Sequence, residues 1–175
     1  MFDPTAFDNM KVVVEGALYD LDLSGEIVIK DRNDSINLAK MSRRFDISFH
    51  LSEKKQVSAK VELKSSLANL AAELLPAVQS EQKTGCELSL QYLIDSQELD
   101  PDYTAINTML MDIWGPNRKI TQSVLYDPLK VDPTHTLTIR VEFDRLIRED
   151  QMDDLVEMIE FIITTLQKLT KTFSK

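Results

Sequence analysis

The sequence predicts an α+β fold: an antiparallel sheet of six or seven strands, four helices mainly on one face, and a long amphipathic C-terminal helix. Three observations carry that expectation. Several segments alternate apolar and polar residues with period two, others repeat apolar residues at helical spacing, and the final stretch stays helical almost to Lys175. The chain reads as a single compact domain over residues 1–175.

Taken in order, the N-terminal stretch offers two readings. Asp3-Pro4 can cap a helix through Phe7, Met10 and Val14, whereas the β-branched run Val12-Val13-Val14 and Gly16 favour a strand. A strand from Met10 is adopted, and Ser24-Gly25 turns it through a tight hairpin into a weak strand at 27–30. A short helix from about 34 to 45 places Ile36, Ala39 and Lys40 on one side. Alternation is then clean. Ile47, Phe49 and Leu51 oppose Ser48 and His50; Val57, Ala59, Val61 and Leu63 oppose Ser58, Lys60, Glu62 and Lys64. Each such strand has one buried and one wet face, as in an antiparallel sheet covered on one side.

Ser65 or Ser66 starts a helix whose stripe is Leu67, Leu70, Ala71, Leu74 and Leu75, ending near Pro76. The next strand sets Cys86, Leu88, Leu90, Tyr92 and Ile94 against Glu87, Ser89 and Gln91. Asp100-Pro101-Asp102 supplies an N-cap, a first-turn proline and an early acid for a helix through Ile106, Leu110 and Ile113, stopped by Trp114-Gly115-Pro116. A weak strand follows at 119–126. A strong one sets Leu137, Ile139, Val141 and Phe143 against Thr136, Thr138, Arg140 and Glu142. The last helix begins near Glu149.

After the first strand the predicted order is β-α-β-β-α twice, over 26–80 and 85–173. Two echoes accompany it: Ser35-Ile36-Asn37-Leu38-Ala39-Lys40-Met41 with Ala105-Ile106-Asn107-Thr108-Met109-Leu110-Met111, and Lys60-Val61-Glu62-Leu63 with Arg140-Val141-Glu142-Phe143. In topology alone this order resembles the tandem strand-helix-strand-strand modules of bacterial effector-binding domains. The resemblance implies a shared sheet and transfers no ligand or activity.

Composition excludes several function classes. The chain carries 20 Lys+Arg against 29 Asp+Glu, a net charge of −9, where a nucleic-acid footprint needs clustered cations. Two His and one Cys are too few for a thiolate or multi-histidine metal site. The 4 Gly lie far apart and form no phosphate loop. Asp31-Arg32-Asn33-Asp34-Ser35 starts like a calcium loop but has Ile36 where that loop needs Gly and Ser42 where it needs Glu. No cofactor is expected. A lone Cys86, an acidic Met1-Phe2-Asp3-Pro4 start and an apolar stretch broken by Glu160, Gln167 and Lys168 point to a cytoplasmic chain that neither crosses nor binds a membrane.

The chemical candidates are few. His50 and His135 read as surface histidines and Cys86 as a small buried hydrophobe. Lys60, Glu62, Arg140 and Glu142, with His50, share the polar sheet face and are the ligand-binding candidates if the two units form a cleft. Otherwise they are cross-strand ion pairs on a solvated face. In the C-terminal helix Met152, Leu155, Ile159, Ile162, Leu166, Leu169 and Phe173 form a heptad seam. Its flanks Val156, Ile163, Met158 and Thr165 make the stripe too wide for a solvated zipper. One side of that helix suits the sheet. The other, through Met158, Phe161, Ile162, Ile163 and Leu166, suits a second copy or another protein, unless the helix is wholly buried in one chain. The expected function is thus a non-enzymatic interaction or structural protein, homodimeric through this helix. The alternative is a small-ligand-binding module using the polar sheet face.

Overall fold

The computed structural model describes residues 5–75, 82–97, 101–131 and 134–174. Its first element is a helix, α1 (Ala6–Ser24), which corrects the strand and hairpin expected there. Phe7, Met10, Val14 and Leu18 recur at three- and four-residue steps and are buried, and that stripe outweighs the strand preference of Val12-Val13-Val14. The Thr5 hydroxyl caps the helix by accepting from the Asp8 N–H; Asp3 and Pro4, the expected cap, lie outside the described residues. Gly25, at φ 83°, closes α1 by donating to the carbonyls of Asp22 and Leu21, so it ends a helix and does not turn a hairpin.

The helix expected over 34–45 is replaced by a β-hairpin. β1 (Ile27–Asn37) pairs antiparallel with β2 (Ser42–Leu51), and Met41 takes a left-handed φ of 51° in the turn. The outer half of β1 carries no apolar alternation because ion pairs to α1 stand where a core would. Asp8, Lys11 and Glu15, on one stripe of α1, pair with Arg43 (2.7 Å), Asp34 (2.8 Å) and Arg32. Arg43 also lies 4.5 Å over the Phe7 ring.

β3 (Lys54–Ser65), β4 (Glu87–Ser96), β5 (Lys119–Leu125) and β6 (His135–Glu142) complete a six-stranded sheet of order β1-β2-β3-β4-β6-β5, antiparallel throughout. The alternating residues Phe45, Ile47, Phe49, Val57, Ala59, Val61, Leu63, Leu90, Tyr92, Ile94, Ile139 and Val141 are buried in one core together with α1 and with α4 (Met152–Phe173). A single 3₁₀ turn (Glu149–Gln151) leads into α4.

Between β3 and β4 lies α2 (Leu67–Leu74). Ser66 and Asn69 form its capping box. The expected stripe is not its buried side: Leu67, Leu74 and Leu75 are exposed, while Asn69 and Ala72 are buried. Polar anchors explain this orientation. Asn69 Nδ2 donates to the Lys83 carbonyl at 2.8 Å, and Glu73 accepts from the Ala6 N–H at 2.6 Å. The expected stop at Pro76 lies outside the described residues. α3 (Tyr103–Trp114) is capped by Asp102, whose carboxylate accepts from the Ala105 N–H at 2.9 Å; Asp100 is outside the described residues.

Over 26–80 the described elements run β-β-β-α, and over 85–173 β-α-β-β-α, so the element order does not repeat. The echo at 35–41 matches a hairpin to a helix, and the topological resemblance to tandem effector-binding modules lapses with it. The Lys60 and Arg140 echo instead places like residues on the two strands flanking β4.

Candidate functional site

The sheet face opposite the core collects the predicted ligand residues into rows. Ser48, Lys60, Gln91, Arg140 and Thr121 stand directly opposite one another across β2, β3, β4, β6 and β5. Asp46, Glu62, Ser89, Glu142 and Lys119 form the next row, and His50, Ser58, Leu93, Thr138 and Ser123 the row on the other side. Lys60 and Arg140 therefore flank Gln91, and Glu62 and Glu142 flank Ser89, each pair about 10 Å apart across two strand spacings. The two carboxylates face separate cations: Glu62 meets Arg44 at 2.8 Å, and Glu142 meets Lys119 at 3.2 Å. Lys60 lies 3.7 Å from Asp46. The cavity that reaches Glu62 is lined by Ser35, Asn37, Lys40, Ser42, Arg44 and Lys64 and does not include Glu142.

The histidines are buried, which corrects their reading as surface residues. Although His50 belongs to the polar face, its Nδ1 sits 2.8 Å from the Leu51 carbonyl oxygen, so it donates there. His135 stacks against Tyr126 with ring centroids 5.7 Å apart. Cys86 is buried as expected. Burial, with the Glu73 and Asp8 carboxylates, pushes its thiol up to about 12, the reverse of an activated nucleophile.

A different site lies where α3, α4 and the chain after β6 meet. Trp114 ends α3, Phe143 follows β6, and Phe161 projects from the middle of α4; the indole lies 6.0 Å from each phenyl ring, edge-on to Phe143 and tilted to Phe161. The Trp114 indole N–H donates to Thr165 Oγ1 at 3.1 Å, and that hydroxyl donates to the Phe161 carbonyl at 2.8 Å, so the tryptophan is held from within the core. Arg118 lies 4.7 Å over the Phe143 ring. Together these residues line a groove of about 240 Å³, with Arg118 and Arg145 contributing cations and Asp154 and Glu157 carboxylates. Among the described residues none of these four charges has an ion-pair partner.

The arm bearing Phe143 and Arg145 is fixed by a two-bond bridge to the start of β4: Cys86 N–H donates to the Ile147 carbonyl at 2.9 Å, and Ile147 N–H to the Cys86 carbonyl at 2.8 Å. A larger cavity of about 590 Å³ shares Phe143 and Arg145 with the groove and adds Thr84, Arg148 and Gln151. The groove can hold an apolar or aromatic side chain on its floor while charged neighbours of that side chain meet the lining arginines and carboxylates.

Of the residues expected to form an interface, Met158 and Phe161 line this groove. Ile162 and Leu166 are fully buried against their own sheet and offer no free surface, while Ile163 is partly buried against the same core. Arg118 and Arg145 were not singled out by sequence, and Phe143 was expected only on the apolar face of a strand, which ends at Glu142. The signal that could have found them was the sole tryptophan, set before Gly115-Pro116 at a helix end and followed by Arg118. No family model matches the chain, and neither a curated protein nor a solved structure matches it.

Proposed function

We propose that the chain is a non-enzymatic interaction protein that receives an amphipathic helix of a partner protein in the groove between α3 and α4. The observation that carries this reading is Phe161. It remains 48% exposed beside Trp114 although most of the apolar surface of α4 is consumed by the core. An exposed aromatic over an aromatic floor, bordered by charges of both signs that form no ion pair among the described residues, has the composition of an interface hot spot. An apolar helix stripe would cover the rings, its acidic flank would meet Arg118 and Arg145, and its basic flank Asp154 and Glu157.

The test is affinity capture with the wild-type chain and Phe161→Glu, followed by reconstitution with the purified captured protein. Trp114, the sole tryptophan, reports directly on the groove. A partner retained by the wild type, lost from the variant and shifting Trp114 emission supports the reading. Capture indifferent to Phe161 rejects it.

A second reading keeps the open sheet face as a site for a small polar ligand. What favours it is the in-register row Lys60-Gln91-Arg140, three long polar side chains on neighbouring strands. Amide-shift mapping with small dicarboxylates and diamines decides it; shifts that avoid the Gln91 row end that reading.

A further inference from the structure

The sheet has two edge strands, and they are protected very differently. The edge strand β1 carries Lys30, Asp31, Arg32 and Asp34, has a register irregularity between Ile29 and Asp31, and is tied to α1 by ion pairs. Charge, bulge and cover are the devices that stop an edge from recruiting another strand. β5 has no bulge, its charge is confined to Lys119 at its first position, and its tie to α3 is a hydrogen bond, the Gln122 amide donating to the Tyr103 carbonyl at 2.9 Å. From Ile120 to Tyr126 it reads Ile-Thr-Gln-Ser-Val-Leu-Tyr with no charge, proline or glycine, its pairing to β6 runs without a register shift, and no described strand pairs with its outer edge. Exposed apolar residues continue from it: Leu125, Tyr126 and Leu129 are 73%, 57% and 91% exposed. A regular β-prone edge, uncharged from Ile120 onward and followed by apolar surface, is a template for strand addition.

We propose that this edge is the homodimer interface: β5 pairs antiparallel with β5 of a second copy, joining two six-stranded sheets into one. The strand is self-complementary about Gln122. A two-fold axis there sets Gln122 against its own copy, Ile120 against Val124, Thr121 against Ser123, and Lys119 against Leu125. Ile120 and Val124 belong to the core-facing row of β5 and form two apolar cross-strand pairs, one on each side of the axis. Thr121 and Ser123 form two small polar pairs on the open face, and no pair opposes like charges. For a chain of net charge −9, an interface free of acids limits self-repulsion where the copies meet. The inference stands independently of the α3–α4 groove.

Sedimentation equilibrium of the full chain tests it, with circular dichroism as the folding control. The wild type is expected at twice the monomer mass. Thr121→Glu with Ser123→Glu places two carboxylate pairs across the joint, while Glu at position 121 faces Arg140 within its own chain; the dimer dissociation constant should rise at least about tenfold. Thr121→Glu with Ser123→Lys changes the same positions but sets opposite charges across the joint, and should dimerise. Phe161→Glu should leave the dimer intact. A monomeric wild type overturns the proposal, as does a double-Glu variant that dimerises normally or a Glu/Lys variant that stays monomeric. A dimer dissolved by Phe161→Glu overturns it too, and moves self-association to α4.

Discussion

Gly85 stands two residues before β4, next to Cys86, at φ +124°, packed against the arm that carries Phe143 and Arg145. A Cβ at this position would overlap the Ile147 carbonyl oxygen and come within 3.0 Å of its carbon. Backbone at this φ costs an L residue about 1–3 kcal/mol. Relieving the overlap requires the arm to withdraw, which breaks the two Cys86–Ile147 hydrogen bonds at about 0.5–1.5 kcal/mol each. Gly85→Ala should therefore destabilise the fold by about 2–6 kcal/mol, a fall in melting temperature of roughly 4–24 °C for a chain of this size. Urea titration followed by far-UV circular dichroism measures it, and Trp114 emission should change in the folded baseline as the groove arm loosens. Gly16 supplies the opposite sign. It lies within α1 with open space where a Cβ would stand, so Gly16→Ala should raise stability by about 0.5–1 kcal/mol. A Gly85→Ala midpoint close to wild type would refute the steric reasoning, and a destabilising Gly16→Ala would refute the helical placement of the N-terminal segment.

Thr165→Val leaves the buried Trp114 indole N–H without its acceptor, and should cost about 1–3 kcal/mol by urea unfolding and shift Trp114 emission. Phe161→Glu, at a half-exposed position, should change stability by under about 1 kcal/mol, which thermal melting checks. Cys86, buried and with its thiol raised to about 12, should resist iodoacetamide at pH 8 in the folded chain and react promptly in urea. The clasp between α1 and the β1–β2 hairpin should fail in acid. Burial opposes ionisation of Asp8 and Asp34, but hydrogen bonds from Thr5 and Arg43 to Asp8, and the Lys11 bond and charge on Asp34, leave both below the ordinary 3.8. A depressed folded value stabilises above the unfolded one and is lost as pH falls through the folded value. The contribution is therefore intact at neutral pH and disappears below about 3.8. Asp8→Asn with Asp34→Asn should flatten that part of the stability–pH curve.

The legible parts of the fold were those where solvent lies on one side only. Val57, Ala59, Val61 and Leu63 alternate with Ser58, Lys60, Glu62 and Lys64 because the core covers one sheet face, and β4 and β6 carry the same signature. Where that contrast fades, so does legibility. The outer half of β1 faces α1 through Arg32 and Asp34, so both faces of the strand are polar, and the segment lacks period two although it is regular strand. α1 hid behind Val12-Val13-Val14, whose local preference for strand is smaller than the gain from burying Phe7, Met10, Val14 and Leu18 together.

The candidate site illustrates a different limit. Spacing identifies which side of α4 is apolar, but a heptad seam has the same period whether it meets its own sheet or another chain. Ile162 and Leu166 satisfy that pattern against β-strands of their own chain, and Phe161, off the seam, is the residue left in solvent. Trp114, Phe143 and Phe161 come from three separate elements, and nothing periodic links them before the chain is folded. The edge of β5 lies between these cases. Its uncharged run from Ile120 to Leu125 is visible in one dimension, but its meaning depends on β5 being the last strand of the sheet, which follows from β6 inserting between β4 and β5. In a central strand the same six residues would be ordinary; at the rim they leave a row of backbone donors and acceptors for another strand to meet.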